Sequence, residues 1–171
     1  MTRSSQSNFQ ALAKSILSQQ LSTKAAATII KRVGELSGGR LEAEKLSRLS
    51  PRTLRSAGCS ESKARAIFEL ANAVIEGELP IRALSRKTDE EIMKILLPYY
   101  GIGRWTVEMF LIFQLGRLDI WPTGDLGVRR GWEKIHKLKS EIAIDELEEA
   151  GTRFMPHRSH LAWYCWRAHS L

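Results

Sequence analysis

The stretch YYGIGRWTVEMF, Tyr99 to Phe110, restricts the fold of this chain more than any other segment. Upstream of it, Thr88 stands as an N-cap with Glu91 in the capping-box position, and Ile92, Ile95 and Leu96 recur at helical spacing. Pro98 should end that helix. Downstream, an apolar run from about Arg104 to Leu115 predicts a second helix. Only a few residues are left to join the two. Such a turn needs glycine, because Gly101 and Gly103 can take dihedrals closed to other residues. The expected element is a tight hairpin of two helices at about 89–115.

The rest of the chain also reads as helix. Phe9, Leu12, Ile16, Leu17, Leu21, Ile29, Ile30 and Val33 follow a helical period, with SQQLS marking a break between two helices. Short helices are expected over Glu42–Leu49 and after Pro51. Another opens at Ser60, presents Ala64, Ile67, Phe68, Ala71 and Ile75 to a core, and ends at Gly77. GRLDIWPTGD has no period and reads as loop. Asp125 then caps LGVRRGWEKIHK, a further helix runs from Asp145 to about Gly151, and RSHLAWYCWRA forms a last, aromatic helix after Pro156. Strand signals, repeats and low-complexity tracts are nearly absent. The fold class is all-α, with a loose polar lead-in over residues 1–8 and one helical domain over 9–171.

Composition sets the partner. A net charge of +7 and a pI near 9.7 favour a polyanion such as DNA or RNA. Cys59 and Cys165 make neither a disulfide framework nor a metal spacing, so zinc and a four-cysteine iron–sulfur cluster are excluded and a reducing compartment is expected. The N-terminus has no signal-peptide core, and no apolar run nears the roughly 20 residues that span a bilayer. An intracellular protein without membrane contact follows as the expectation. His136, His157, His160 and His169 have no metal-ligand spacing.

Two places carry chemistry. Backbone amides of the glycine turn and of the next helix can hold a phosphate, with Arg104 adding charge and Thr106 touching either phosphate or backbone. An ordinary helix hairpin fits the same glycines. GxxxxGK is missing and no strand feeds a dinucleotide fold, which argues against ATP and NAD. The second place is Asp125, followed by Arg129 and Arg130. Nearby cations and helix amides favour its anionic form. That suits stabilising positive charge or orienting water, and simple helix capping fits equally. Asp119 helps fold the loop or binds nothing, and Glu108 is either a supporting group or solvent-facing.

YGIGRWTVEMFLIFQLGRLDIWPTGDLGVRRGW resembles the helix–hairpin–helix DNA glycosylases, in particular the alkylation-repair branch called 3-methyladenine DNA glycosylase II. SQQLS and PHRSHLAWYCWR extend the resemblance over roughly 9 to 168. It implies two helical lobes with a cleft between them, a hairpin that grips DNA phosphate, and a damaged nucleotide flipped into the cleft. It places the catalytic aspartate at Asp125, with Trp105, Met109, Leu126 and Phe154 in the base pocket. Gln20 falls on a wedge that fills the gap left by the flipped nucleotide. Lys63 falls on a structural or phosphate contact, and Arg158 on either a DNA contact or a tie to the loop around Asp125. With Gly101, Gly103, Arg104 and Thr106 these form the expected DNA-binding set. The family often holds a monovalent cation at this hairpin, so a sodium or potassium ion on the Gly101 and Gly103 backbone is implied, and no other cofactor.

Bifunctional relatives carry a nucleophilic lysine directly after Gly-x-Gly-Arg. Here Trp105 stands there, and an indole forms no Schiff base. A monofunctional glycosylase acting as a monomer on double-stranded DNA with damaged bases is the expectation. The alternatives are a non-catalytic helix–hairpin–helix DNA-binding protein and a basic protein-interaction domain. Trp121, Trp132, Trp163 and Trp166 read as core or packing residues. An extra N-terminal β domain found in some relatives is not expected in this length.

Overall fold

The computed structural model describes residues 6–171. Residues 1–5 of the expected loose lead-in lie outside that range. Its last positions already serve the first helix: the Ser7 hydroxyl accepts from the Gln10 N–H, and Asn8 Nδ2 donates to the Ile81 carbonyl at 2.9 Å. All elements among the described residues are helical. They are α1 (Asn8–Ser18), α2 (Thr23–Leu36), α3 (Ala43–Leu46), α4 (Pro51–Ser56), α5 (Glu61–Ile75), α6 (Asp89–Leu96), α7 (Arg104–Met109), α8 (Leu126–His136), α9 (Ile144–Gly151) and α10 (Arg158–Ser170). The chain divides into two compact units, one ending at Phe110 and one beginning at Leu111.

Most helix starts are written locally. Ser7, Ser22, Ser50, Ser60 and Thr88 each sit in extended conformation and accept a hydrogen bond from the third residue of the helix that follows. Each such cap stabilises its helix by about 1 kcal/mol. At Thr88 the Glu91 carboxylate returns the bond to the Thr88 N–H at 2.8 Å, completing the expected capping box.

In the first unit α1 packs on α2, α5 and α7, while α5 also meets α3 and α4. Leu12, Ile16, Leu17, Leu54, Ile67, Leu70, Ile92 and Leu96 are almost wholly withdrawn from solvent. A buried side chain of that size contributes roughly 1.5–3 kcal/mol. The apolar face expected on α5 is shifted: Ile75 is 52% exposed, and Ala66 and Leu70 take core positions instead.

In the second unit Trp121, Val128, Trp132, Leu147, Ala162 and Cys165 form the core. α8 and α10 press together so closely that a Cβ at Gly131 would lie 1.9 Å from the Cys165 carbonyl oxygen. Trp121 donates Nε1–H to the Leu147 carbonyl at 2.8 Å, holding α9. Trp121 and Trp132 are therefore core residues as expected. Trp163 is not: it is 45% exposed on α10.

The helix after the glycines also differs from its expectation. Its α-helical part ends at Met109, and the chain widens into a π-helical turn over Phe110–Gln114. A π turn adds a residue to the helical circuit and rotates every side chain beyond it. Phe113, in an apolar run, is left 51% exposed.

Candidate functional site

The glycine turn belongs to the first unit. Gly101 has φ +78°, and a Cβ there would lie 2.6 Å from Cβ of Ala66 on α5. The turn thus requires glycine twice over, once for its dihedral and once for its seat on α5. Gly103 is the N-cap of α7, and nothing lies within 4 Å of where its Cβ would be. Its open side leaves the following first-turn amides approachable, and such amides have no intrahelical acceptor. Around the turn is an open depression of ≈ 580 Å³ lined by Gln19, Gln20, Gly101–Gly103, Trp105 and Thr106.

Thr106 is 2% exposed, so it does not present its hydroxyl to an outside phosphate. It works from beneath: Gln19 Nε2 donates to Thr106 Oγ1 at 3.1 Å and to the Gly101 carbonyl at 2.9 Å. Arg104 projects into solvent with Nε 2.8 Å from the buried Glu108 carboxylate. Glu108 is therefore a supporting group. Trp105 is 41% exposed, and Met109 is half-buried on the same helix.

Gln20 follows α1 with φ +54°, a left-handed conformation uncommon for glutamine, and its side chain is exposed. Lys63 stands behind it. Of the two roles open to Lys63, the structure displays the structural one: Nζ donates to the Leu17 carbonyl at 2.9 Å and the Gln19 carbonyl at 2.7 Å. Burial pushes this ammonium below its ordinary pKa, with Cys59 acting in the opposite direction.

Gly101 and Gly103 were the residues expected to hold a monovalent cation. Their carbonyls already accept hydrogen bonds, from Gln19 and from the Val107 N–H at 3.2 Å. Each carbonyl oxygen has a second lone pair. The neutral, all-oxygen donor set suits sodium or potassium, and it lacks the carboxylates that divalent ions favour. Among the described residues no cluster of His, Cys, Asp or Glu could hold a metal.

The carboxylate belongs to the second unit. Asp125 is the N-cap of α8 and accepts from the Val128 N–H at 2.8 Å. That is the capping geometry, and a second bond accompanies it: Trp166 Nε1–H donates to the same oxygen, Oδ1, at 2.7 Å. Two donors on one oxygen fix the plane of the carboxylate. The indole reaches it past Gly127, where a Cβ would lie 2.9 Å from Trp166 and 3.1 Å from Asp125 Oδ1. Phe113 stacks on Trp166, with centroids 5.5 Å apart and planes at 30°. Leu126, beside the aspartate, is 55% exposed.

The structure adds detail at two further residues. Phe154, half-buried, stands edge-on to Trp132 at 6.1 Å with Arg153 over its ring, packed against the core of its unit. The aromatic residue on the carboxylate is Trp166, and Phe113 stacks on that indole. Arg158 performs its second expected role: its guanidinium grips Asp119 through Nε at 2.7 Å and Nη2 at 2.9 Å. Those hydrogen bonds hold the Asp119 carboxyl below its ordinary pKa, against a smaller opposing effect of burial. Ser159 adds a bond from the Ile120 N–H at 2.9 Å. The irregular loop that delivers Asp125 is thereby tied to the start of α10.

Sequence reasoning missed Gln19, Gly127, Trp166 and Phe113. Gln19 stands in the SQQLS break without a role of its own in the sequence, and Trp166 reads there only as core or packing. The available signal was a polar residue beside a helix break and a glycine in the first turn of a helix capped by aspartate.

A family model described as HhH-GPD superfamily base excision DNA repair protein matches residues 13–157. DNA-3-methyladenine glycosylase 1 of Schizosaccharomyces pombe is 33% identical over 166 residues, 95% of this chain and 73% of that protein. The structure of the S. pombe 3-methyladenine DNA glycosylase Mag1 in complex with abasic DNA superposes with a TM-score of 0.90 at 32% identity, covering 99% of this chain and 84% of that one. A DNA-3-methyladenine glycosidase from Bacillus halodurans gives a TM-score of 0.88 at 35% identity, covering 99% and 78%.

Proposed function

We propose that this chain, which belongs to the HhH-GPD superfamily of base excision DNA repair proteins, hydrolyses the N-glycosidic bond of alkylated purines such as 3-methyladenine in double-stranded DNA. The products are the free base and an abasic site. The reading rests on one observation above the others: Asp125 is held at Oδ1 by both the Val128 N–H and the Trp166 indole. A cap alone needs only the first of these bonds.

The chemistry follows from the charge. As the base departs, positive charge grows on the sugar, and a preorganised carboxylate stabilises it without having to reorient. The same group positions the attacking water. A purine nucleotide alkylated at a ring nitrogen, as in 3-methyladenine, carries positive charge already, so its base is a good leaving group and one carboxylate suffices. Aromatic faces favour a cationic base through cation–π attraction; beside the carboxylate that face is Trp166 with Phe113 stacked on it, and Trp105 is the aromatic residue exposed at the hairpin. Leu126 and Met109 add apolar surface. The hairpin backbone, Arg104 and Gln20 engage the duplex, and the phosphate contacts position it without reading sequence. A sodium or potassium ion on the Gly101 and Gly103 carbonyls would supply a positive charge facing phosphate. Trp105 offers no amine, so the enzyme is monofunctional. It acts as a monomer, since one extruded base needs one carboxylate, and it works inside the cell where the DNA is.

A duplex with one alkylated purine should release the free base when mixed with the protein. Borohydride added to the protein and an abasic duplex should trap no covalent adduct. An adduct would contradict the monofunctional assignment. The capping bond itself keeps a second reading in play, that of a non-catalytic DNA-binding protein in which Asp125 serves only α8. Duplex binding without release across a panel of alkylated bases would favour it.

A further inference from the structure

Gln19 and Gln20 are neighbours in the chain with opposite fates. Gln20 points outward from a strained position, while the Gln19 side chain turns in and spans to the hairpin. One amide group, Nε2, donates both to the Gly101 carbonyl inside the glycine turn and to the buried Thr106 hydroxyl in the first turn of α7. The Gln19 backbone is held as well, because its carbonyl receives the Lys63 ammonium at 2.7 Å. Residue 19 is thus pinned at its side chain from one direction and at its main chain from another. The left-handed Gln20 comes next in the chain, so its backbone has little freedom left. Both the turn that bears Gln20 and the turn that bears the phosphate-facing amides line the same depression of ≈ 580 Å³.

We infer that Gln19 is a positioning residue that sets the register between the phosphate-holding hairpin and the Gln20 side chain, so that gripping the backbone and filling the space of an extruded nucleotide occur at one fixed spacing. This rests on the proposed DNA glycosylase reading. Gln19 itself touches neither the base nor the sugar. The hairpin has a second hold besides Gln19, the close seat of Gly101 against Ala66. Loss of the Gln19 amide should therefore spare the hold on undamaged duplex and impair the step in which the nucleotide leaves the stack. Extrusion carries an unstacking cost, which a wedge at the correct spacing offsets.

The test uses a duplex with 2-aminopurine beside an alkylated purine, so that fluorescence reports unstacking. The variant Gln19→Met keeps the length and removes both donor hydrogens. It should bind undamaged duplex within about threefold of the parent, while the fluorescence rise and single-turnover base release both fall about tenfold, as expected for hydrogen bonds of ordinary strength. Thr106→Val keeps the volume and removes one acceptor, so it should lose part of the same signal. In the double variant the two effects should not add, because they remove one shared bond. If Gln19→Met leaves fluorescence and release unchanged, the inference is wrong. If undamaged-duplex affinity falls as far as release does, Gln19 merely supports the hairpin and the inference is also wrong. Should Gln19→Met prove unfolded by circular dichroism, Thr106→Val decides alone: parental extrusion and release overturn the inference. A parent protein that releases no base would instead remove the glycosylase reading, whatever the variants do.

Discussion

Trp166 reaches Asp125 because residue 127 has no side chain. A Trp166→Phe variant keeps a ring to stack on Phe113 and loses the N–H donor. A hydrogen bond to a charged acceptor contributes about 1.5–3 kcal/mol, so base release in a single turnover should fall roughly tenfold or more. The melting temperature should move only a few degrees, because the Val128 N–H still caps through Oδ1. An unchanged rate would demote the indole to packing. At Gly101 the expected loss lies in folding and DNA affinity together. Gly101→Ala adds a left-handed penalty of about 1 kcal/mol and a Cβ overlapping Ala66 at 2.6 Å. Chemical denaturation should detect a loss of about 1–3 kcal/mol, and duplex binding should weaken with it. Asp125 and Gly101 were both legible in the sequence, since a cap and a tight turn are local patterns. Trp166 and Gln19 were not. Their partners lie 41 residues away for Trp166, and 82 and 87 for Gln19, so only the folded chain brings them together.

Among the elements, the same rule separates what could be foreseen from what could not. The starts of α4, α5 and α6 were read from Pro51, Ser60 and Thr88, while the caps at Ser7, Ser22 and Ser50 emerged only in the structure. The π-helical turn over Phe110–Gln114 has no such mark: FLIFQ reads as an ordinary apolar run. Within that turn Phe113 is exposed while its neighbours Leu111 and Ile112 are buried. The loop before α8 is held by Asp119 and Arg158, whose side chains are 26% and 19% exposed. Because Arg158 depresses the Asp119 pKa in the folded state, the pair stabilises above the ordinary value of 3.8 and that stabilisation is lost as pH falls through the lower folded value. Asp119→Asn should cost about 1–2 kcal/mol at neutral pH, an amount reduced by the partial exposure. The difference from the parent should shrink in unfolding curves measured below pH 4, and a gap constant from pH 7 to pH 3 would contradict the assignment.

Over the whole molecule, the +7 charge was read as an attraction to polyanions, and a protein that holds duplex mainly through phosphate should lose affinity steeply as salt rises. Among the described residues no helix is long and apolar enough to cross a membrane. The all-helical architecture was legible because periodicity and caps agree along the chain; the hold of Trp166 on Asp125 was not, because it joins positions 41 residues apart. Catalysis of the proposed kind depends on the charge of Asp125. The most direct measurement is base release by Asp125→Asn from a duplex carrying a single 3-methyladenine analogue or other alkylated purine, made beside a binding titration on the same DNA. Asparagine still offers Oδ1 to Val128 and Trp166, so the fold and the affinity should persist. Release should fall at least about 100-fold, the scale on which a lost electrostatic stabiliser slows an enzyme. Release at the parental rate, with binding intact, would contradict the claim that this carboxylate stabilises the departing sugar.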